Sequence, residues 1–414
     1  MNIETIKDGG VCSPVGFRAS GVTAGLKPSG QPDLALIVSD APAIVSGAFT
    51  SNLFAAAPVE WDRKVIRQSE TVRAVVVNSG VANACTGIQG AHDARSMASY
   101  TAEALGVSPE EVLVSSTGVI GEFLPMEIIC RGITMAVDSL SRSGSHDAAR
   151  AIMTTDTVEK RIAVSFEIGG RKVTIGAMTK GAGMIAPQMT LCSNRAKQTT
   201  MLAYFTTDAA ISRNALQEAL DNALGASFNR IVVDGDTSTN DTMLVLANGL
   251  AGNNEIHRET PEQELFCEAL RHCAEELAKA MVLDGEGVSK FVELRVFGAM
   301  DDEGARQIAE SIARSPLCKT AWYGQDPNWG RILCAAGYSK VPFKPTQVNL
   351  DFDNVPVVRN GLAAPGTTRE ELAEVLRKRS FQVRLCVGPG PGRFVLWTCD
   401  LTHDYVKINA DYHT

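Results

Sequence analysis

The most regular pattern of apolar positions lies at residues 261–281. Thr260-Pro261 opens it, and Leu265/Phe266, Ala269/Leu270, Cys273, Leu277 and Ala280/Met281 recur at helical spacing with Glu and Arg between them. One long helix with a single apolar face is expected there. A second helix starts at the capping box Thr368-Arg-Glu-Glu371 and carries Leu372, Val375 and Leu376. Residues 92–105 read as a helix that ends at Gly106. Ser108-Pro-Glu-Glu111 is another capping box, with Pro at the first helical position. Short apolar runs separated by turn residues mark strands at 34–47, 72–77 and 112–115, and residues 161–166 and 172–177 form a hairpin around Gly169-Gly170. Gly388-Pro-Gly-Pro-Gly392 reads as a rigid turn, and a modest boundary falls near residue 290, where a strand over 292–297 begins. Strands and helices alternate throughout, so an α/β or α+β protein of layered sheets and helices is expected.

Length and charge narrow this picture. At 414 residues the chain is long enough for two or three domains. Apolar residues make up 45% and charged residues 21%, which excludes a disordered, collagenous or coiled-coil chain. No stretch reaches the roughly 18 apolar residues of a spanning helix. The opening MNIETIKDGG has no basic region followed by an apolar run, so no secretory signal is expected. The 39 basic and 47 acidic residues give a net charge of −8 with no basic stripe, which argues against nucleic acid as a partner. The ten cysteines form no CxxC and no Cys/His cluster. They read as reduced thiols, mostly buried as small hydrophobes, and zinc is not expected. The six histidines are dispersed, and neither GxGxxG nor GxxxxGK[ST] occurs, so chemistry centred on His or on a nucleotide cofactor has no local support.

Four segments could carry chemistry. Lys180-Gly-Ala-Gly-Met184 offers close backbone approach and an ammonium for a carboxylate, although a glycine turn with a solvated lysine is the plainer account. Residues 199–207 form an apolar strand entered through two threonines, and such a Thr becomes interesting only if its α-amine is freed. Asp234-Gly-Asp-Thr-Ser-Thr-Asn-Asp241 fails as a calcium loop, because its sixth position is Thr239 and no Glu occupies the twelfth. A hydrogen-bonded turn network is expected instead. Thr117-Gly118 follows a strand, where backbone N–H groups could face a developing oxyanion; taken by itself, an ordinary strand-to-loop turn is the favoured account.

Together these segments resemble the ornithine acetyltransferase family, also called the bifunctional arginine biosynthesis protein (ArgJ) family. The resemblance runs through Gly21-Val-Thr-Ala-Gly-Leu-Lys27, Val77-Asn-Ser-Gly-Val-Ala-Asn-Ala-Cys-Thr-Gly87, Ser116-Thr-Gly-Val-Ile-Gly121, Thr154-Thr-Asp-Thr157, Lys180-Gly-Ala-Gly-Met-Ile185 and Thr200-Met-Leu202. It continues with Val233-Asp-Gly-Asp-Thr-Ser-Thr-Asn240, Asp284-Gly-Glu-Gly287, Asn328-Trp-Gly-Arg331, Cys399-Asp-Leu-Thr402 and Lys407-Ile-Asn409.

The resemblance implies a layered α-β-β-α sandwich with a smaller C-terminal α/β domain. It implies a precursor that cuts itself between Thr199 and Thr200, giving an α chain of residues 1–199 and a β chain of 200–414. In that β chain, 200–290 would complete the sandwich and 291–414 form the smaller domain. The chains would remain associated, as α₂β₂, in the cytoplasm. Thr200 would be the nucleophile, with its freed α-amine, of pKa roughly 7.7–8.0, as base. Thr117 and Gly118 would stabilise the oxyanion. Thr154 or Thr155, Lys180, Glu286, Asn409 and Thr414 would bind substrate. By charge, and not by the resemblance, Lys180 is expected to meet a substrate carboxylate and Glu286 a substrate ammonium or a group that does. The reaction would move acetyl from N-acetylornithine to glutamate through an acetyl-Thr intermediate, without metal or cofactor, acetyl-CoA being a possible co-substrate.

The sequence departs from the family's pattern before the nucleophile. Where the family has one residue between the Met that corresponds to Met189 and the Thr, this chain has ten, Thr190 to Thr199, and Gln188, Ala182 and Thr199 replace the usual Asn, Ser and Ala. Thr190 and Thr199 are therefore rival cleavage sites. The same scaffold acting on another acyl amino acid or amide, or an uncleaved and catalytically silent binding protein, are the alternative readings.

Overall fold

The structure, a computed structural model, describes residues 3–186, 189–191 (190 and 191 in backbone only) and 201–411. It is a mixed α/β protein whose described residues divide into two units, one within Met1–Asn229 and Asp236–Met281, the other within Arg230–Gly235 and Val282–His413.

The first unit is built on a ten-stranded sheet. Its path runs Glu4–Thr5, Lys160–Ile168, Arg171–Lys180, Leu202–Thr207, Thr242–Ala247, Leu34–Phe49, Val72–Val81 and Val112–Val119, with Phe17–Val22 and Thr190–Leu191 paired to Leu34–Phe49 off this path. Residues 34–47, expected as several strands, lie in one strand of 16 residues. The apparent turn Ser39-Asp-Ala-Pro42 is a register shift in its pairing with Val72–Val81. Pro42 has no N–H for the ladder, and a bulge bends a strand without ending it. Before the shift the strand pairs with Phe17–Val22 and Val72–Val81. After it, the strand pairs with Thr242–Ala247.

The unbroken apolar runs follow from burial on both faces: all six residues of Leu202–Thr207 and all six of Thr242–Ala247 are buried. The helices Ala57–Gln68 and Gly87–Leu105 pack on Val112–Val119, Met126–Asp138 and Arg213–Ala226 on Leu34–Phe49, and Ser145–Ala151 on Phe17–Val22. The long expected helix spans Pro261–Leu283. Its Phe266 ring meets Phe166 edge-on at 6.4 Å, and its Met281 sulfur accepts a hydrogen bond from Thr179 at 3.5 Å.

The second unit carries a seven-stranded mixed sheet in the order Ile231–Val232, Gly392–Cys399, Phe291–Ala299, Ser380–Cys386, Asn349–Phe352, Val355–Arg359 and Leu362–Ala363. Buried and less buried residues alternate along Ser380–Cys386, as in a strand with one covered face. Helix Asp302–Ala313 packs on Gly392–Cys399 and Phe291–Ala299. The rigid turn at 388–392 lies against the end of Phe291–Ala299 so closely that a Cβ at Gly390 would stand 2.0 Å from the Ala299 oxygen, which is why glycine occupies it.

Two local expectations change. The box at Ser108 forms, but it caps only a 3₁₀ turn, Pro109–Glu111, because Val112 already enters a strand. The box at Thr368 opens a full helix, Arg369–Arg377. The cysteines are free thiols, but among the nine described only Cys273, Cys318 and Cys399 are buried, and Cys85 and Cys334 are exposed. "Mostly buried" is thus corrected: most of them sit on element surfaces and in loops rather than in the core.

Candidate active site

Three stretches far apart in sequence meet in the first unit. Lys180 ends the strand Arg171–Lys180, where it pairs with Leu202, two residues after Thr200. It is 4% exposed, so the solvated-lysine account does not hold. Its ammonium donates to Thr154 Oγ1 at 2.7 Å and to Thr117 Oγ1 at 3.3 Å. Thr117 and Gly118 end the strand Val112–Val119, which lies at the sheet edge. Thr155 is half-buried in the loop beside Thr154.

An ammonium so buried needs a counter-charge. Asp156, which the sequence reading did not single out, supplies it. Its Oδ1 accepts from Lys160 Nζ and from the Gly181 N–H, both at 2.7 Å, and its Oδ2 accepts from the Thr154 N–H at 3.1 Å. Burial alone would raise this carboxyl. Lys160, Lys180 and the hydrogen bonds outweigh burial and hold it at about 2. The available signal was the Asp inside Thr154-Thr-Asp-Thr157, with Lys160 four residues on.

The Gly21–Lys27 segment braces the same loop. Asp33 accepts backbone N–H groups from Ala24, Gly25, Leu26 and Lys27 at 2.6 to 3.1 Å. Lys27 Nζ reaches the carbonyls of Pro32 and Met153, each at 2.7 Å. Burial, together with the nearby Lys180 charge, lowers Lys27 to about 8 against the pull of Asp33 and Asp156.

Beside Thr117, Ser116 Oγ donates to Asn78 Oδ1 at 2.6 Å, and Asn78 Nδ2 donates to the Val81 carbonyl at 2.8 Å. Gly118 has φ +132°, and a Cβ there would lie 2.2 Å from the Gly80 carbonyl carbon. Only glycine fits a parallel pair drawn this close.

Glu286 and Asn409 lie in the second unit and meet there, Asn409 Nδ2 donating to Glu286 Oε2 at 2.7 Å. The Thr402 hydroxyl donates to the Gly287 carbonyl at 2.8 Å and holds the turn that carries Glu286 against the start of helix His403–Asp411. Thr199, Thr200 and Thr414 lie outside the described residues, as do the side chain of the rival Thr190 and residue Gln188.

Residues 18–414 match the family described as the ArgJ family. This chain belongs to the ArgJ family. Two curated ArgJ relatives match nearly the whole chain. The arginine biosynthesis bifunctional protein ArgJ of Thermosynechococcus vestitus is 45% identical over 420 residues, covering 98% of each chain. Its counterpart in Geobacter sulfurreducens is 48% identical over 399 residues, covering 96% of this chain and 99% of its own. Among solved structures, the ornithine acetyltransferase of Mycobacterium tuberculosis complexed with ornithine is 41% identical, with TM-score 0.42, over 46% of this chain and 100% of its own. No helix among the described residues is long and apolar enough to cross a membrane.

Proposed function

We propose that this ArgJ-family chain is an ornithine acetyltransferase, a glutamate N-acetyltransferase that moves acetyl from N-acetylornithine to glutamate. The curated relatives are named for arginine biosynthesis, and the 41% identical Mycobacterium tuberculosis protein is named an ornithine acetyltransferase. The observation that carries the residue-level reading is the buried Lys180, set on Thr154 and Thr117 and paired with Leu202, two residues after Thr200 in sequence.

In this reading self-cleavage before Thr200 frees an α-amine that takes the proton from the Thr200 hydroxyl. A threonine hydroxyl is a weak nucleophile without such a base. The oxygen attacks the acetyl carbonyl, and the oxyanion that forms meets Thr117 and Gly118. Ornithine leaves with the proton, and the acetyl group stays as an ester. The amine of glutamate attacks that ester, Thr200 recovers its proton, and N-acetylglutamate departs. Lys180, its charge balanced by Asp156, holds a substrate carboxylate. Glu286, steadied by Asn409, is the partner we assign to a substrate ammonium, and Thr154 or Thr155 and Thr414 complete the set. The α and β chains remain associated and assemble as α₂β₂.

Intact mass under denaturing conditions, with sequencing of new N-termini, tests the first step. Two chains are expected, the second beginning Thr-Met-Leu-Ala-Tyr. A start at Thr199 or Thr190 moves the nucleophile, and a single chain of 44.1 kDa overturns the mechanism. Transfer of labelled acetyl from N-acetylornithine to glutamate then tests the substrates, with acetyl-CoA as a second donor. Failure with both donors, in a cleaved protein, overturns the substrate assignment alone.

A further inference from the structure

We propose that Asn240 is a positioning residue for the acetyl transfer: it holds the edge strand Val112–Val119 so that the Gly118 N–H faces the oxyanion. The inference rests on the reading that Thr117 and Gly118 stabilise that oxyanion.

The argument starts from the strand edge. Among the described residues Val112–Val119 has a partner strand on one side only, Val72–Val81, so its outer N–H and C=O groups need other partners. Side chains provide them. Trp61 Nε1 donates to the Val112 carbonyl at 2.9 Å, and the Val114 N–H donates to Asp62 Oδ1 at 2.7 Å. Residues 61 and 62 together imitate one residue of a missing neighbour strand, which would give a donor to residue i−1 and an acceptor to residue i+1. The same frame recurs two pleats along. Asn240 Nδ2 donates to the Ser116 carbonyl at 2.7 Å. Backbone direction alternates along a strand, so Val112, Val114 and Ser116 share the outer edge and the Gly118 N–H falls on it next. Here the imitation is half complete: Asn240 is the donor, and the acceptor place, opposite Gly118 N–H, is where the substrate's oxygen sits as it gains charge. The unusual φ of Gly118 turns the chain after that N–H, so the N–H keeps the strand's direction.

Asn240 is fixed well enough for this task. It is 3% exposed. Nδ2 also donates to the Ala82 carbonyl at 2.6 Å, which ties the end of one parallel strand to its neighbour. Oδ1 accepts from the Thr239 hydroxyl at 2.6 Å, and because the other end of the amide faces two carbonyls, which only a donor satisfies, that end is the nitrogen. The Asn240 N–H reaches Ser238 Oγ at 3.1 Å, and the Ser238 carbonyl accepts from Thr50 Oγ1 at 2.7 Å. The Thr-Ser-Thr-Asn run is thus a clamp on the oxyanion strand.

Asn240→Asp keeps the shape and replaces the donor by an oxygen facing two carbonyls. Asn240→Ser is the milder second variant, and Trp61→Phe removes a donor from the other end of the same edge. Wild type and variants are assayed by steady-state acetyl transfer, by affinity for a boronic acid that forms a tetrahedral adduct, and by melting temperature. For Asn240→Asp and Asn240→Ser, kcat and boronate affinity are expected to fall together by about 10- to 100-fold, since misaiming one oxyanion donor costs somewhat less than its loss. KM for N-acetylornithine should stay within about 2-fold, and Trp61→Phe should lower the melting temperature without lowering kcat. A kcat within about 2-fold of wild type in both Asn240 variants overturns the proposal, as does a kcat that falls equally in Trp61→Phe. Failure of the parent reading looks different: the wild type itself would then form no acetyl-enzyme.

Discussion

Replacing Asp156 by Asn tests whether one carboxylate sustains the lysine centre. The side chains of Asp156 and Lys160 are 0% and 1% exposed, so their 2.7 Å contact is not screened by water. The carboxyl falls from the usual 3.8 to about 2. At about 1.36 kcal/mol per pH unit this corresponds to roughly 2 kcal/mol favouring the folded state at neutral pH. Asparagine removes that contribution and leaves Lys160 and Lys180 buried without the carboxylate, and breaking a buried pair in this way costs about 3–5 kcal/mol. The sign with pH follows from the depressed value. The wild-type advantage is complete above the ordinary carboxyl pKa and fades as pH drops through the folded one. Urea unfolding at a single protein concentration should show Asp156→Asn about 3–5 kcal/mol less stable at pH 7. The gap should narrow by about 2 kcal/mol between pH 5 and pH 2. A variant within about 0.5 kcal/mol of wild type at pH 7, or a gap that does not change with pH, would refute the reasoning.

Asp62 works in the opposite direction. Burial raises its carboxyl well above the usual range against the single Val114 N–H, so the folded protein prefers the neutral acid. Its stabilising effect is full below the ordinary carboxyl pKa and declines as pH rises toward the folded value. Asp62→Asn keeps an acceptor for Val114 and carries no charge; it should melt higher than wild type at pH 8 and no higher at pH 4, and an equal or lower melting temperature at pH 8 would count against the idea. Gly118→Ala places a methyl 2.2 Å from the Gly80 carbonyl carbon at a φ that L residues rarely adopt. It should abolish chain cleavage and acetyl transfer together, as read by denaturing gel and by product formation, and a processed, active Gly118→Ala protein would show that the close strand pair is dispensable.

What could be read from the sequence was what local pattern determines. Pro261–Leu283, the hairpin of Lys160–Ile168 with Arg171–Lys180, and the strand Val72–Val81 all carry their period in consecutive residues. Leu34–Phe49 misled because Asp40-Ala41-Pro42 has the composition of a turn, while the two halves of the sheet keep one strand running through it. The site was legible only as a set of family blocks. Nothing in Lys180-Gly-Ala-Gly-Met184 says that the lysine is buried, because its counter-charge and its threonine partners lie 24 to 63 residues away. In Asp234–Asp241 the carboxylates drew attention, whereas it is the amide of Asn240 that reaches the strand Val112–Val119.

The order of strands in the larger sheet also bears on what a break in the chain would do. Leu202–Thr207 and Thr242–Ala247 lie side by side, flanked by Arg171–Lys180 on one side and Leu34–Phe49 on the other. Any cut between residues 186 and 201 therefore leaves two polypeptides interleaved in a single hydrogen-bonded sheet. Pulling them apart means unzipping two buried ladders at once, so the pieces form an obligate heterodimer with no detachable half. Each piece made alone would present bare apolar strand edges, the surfaces on which β proteins aggregate. A chain cut in this stretch would therefore have to assemble before it is divided.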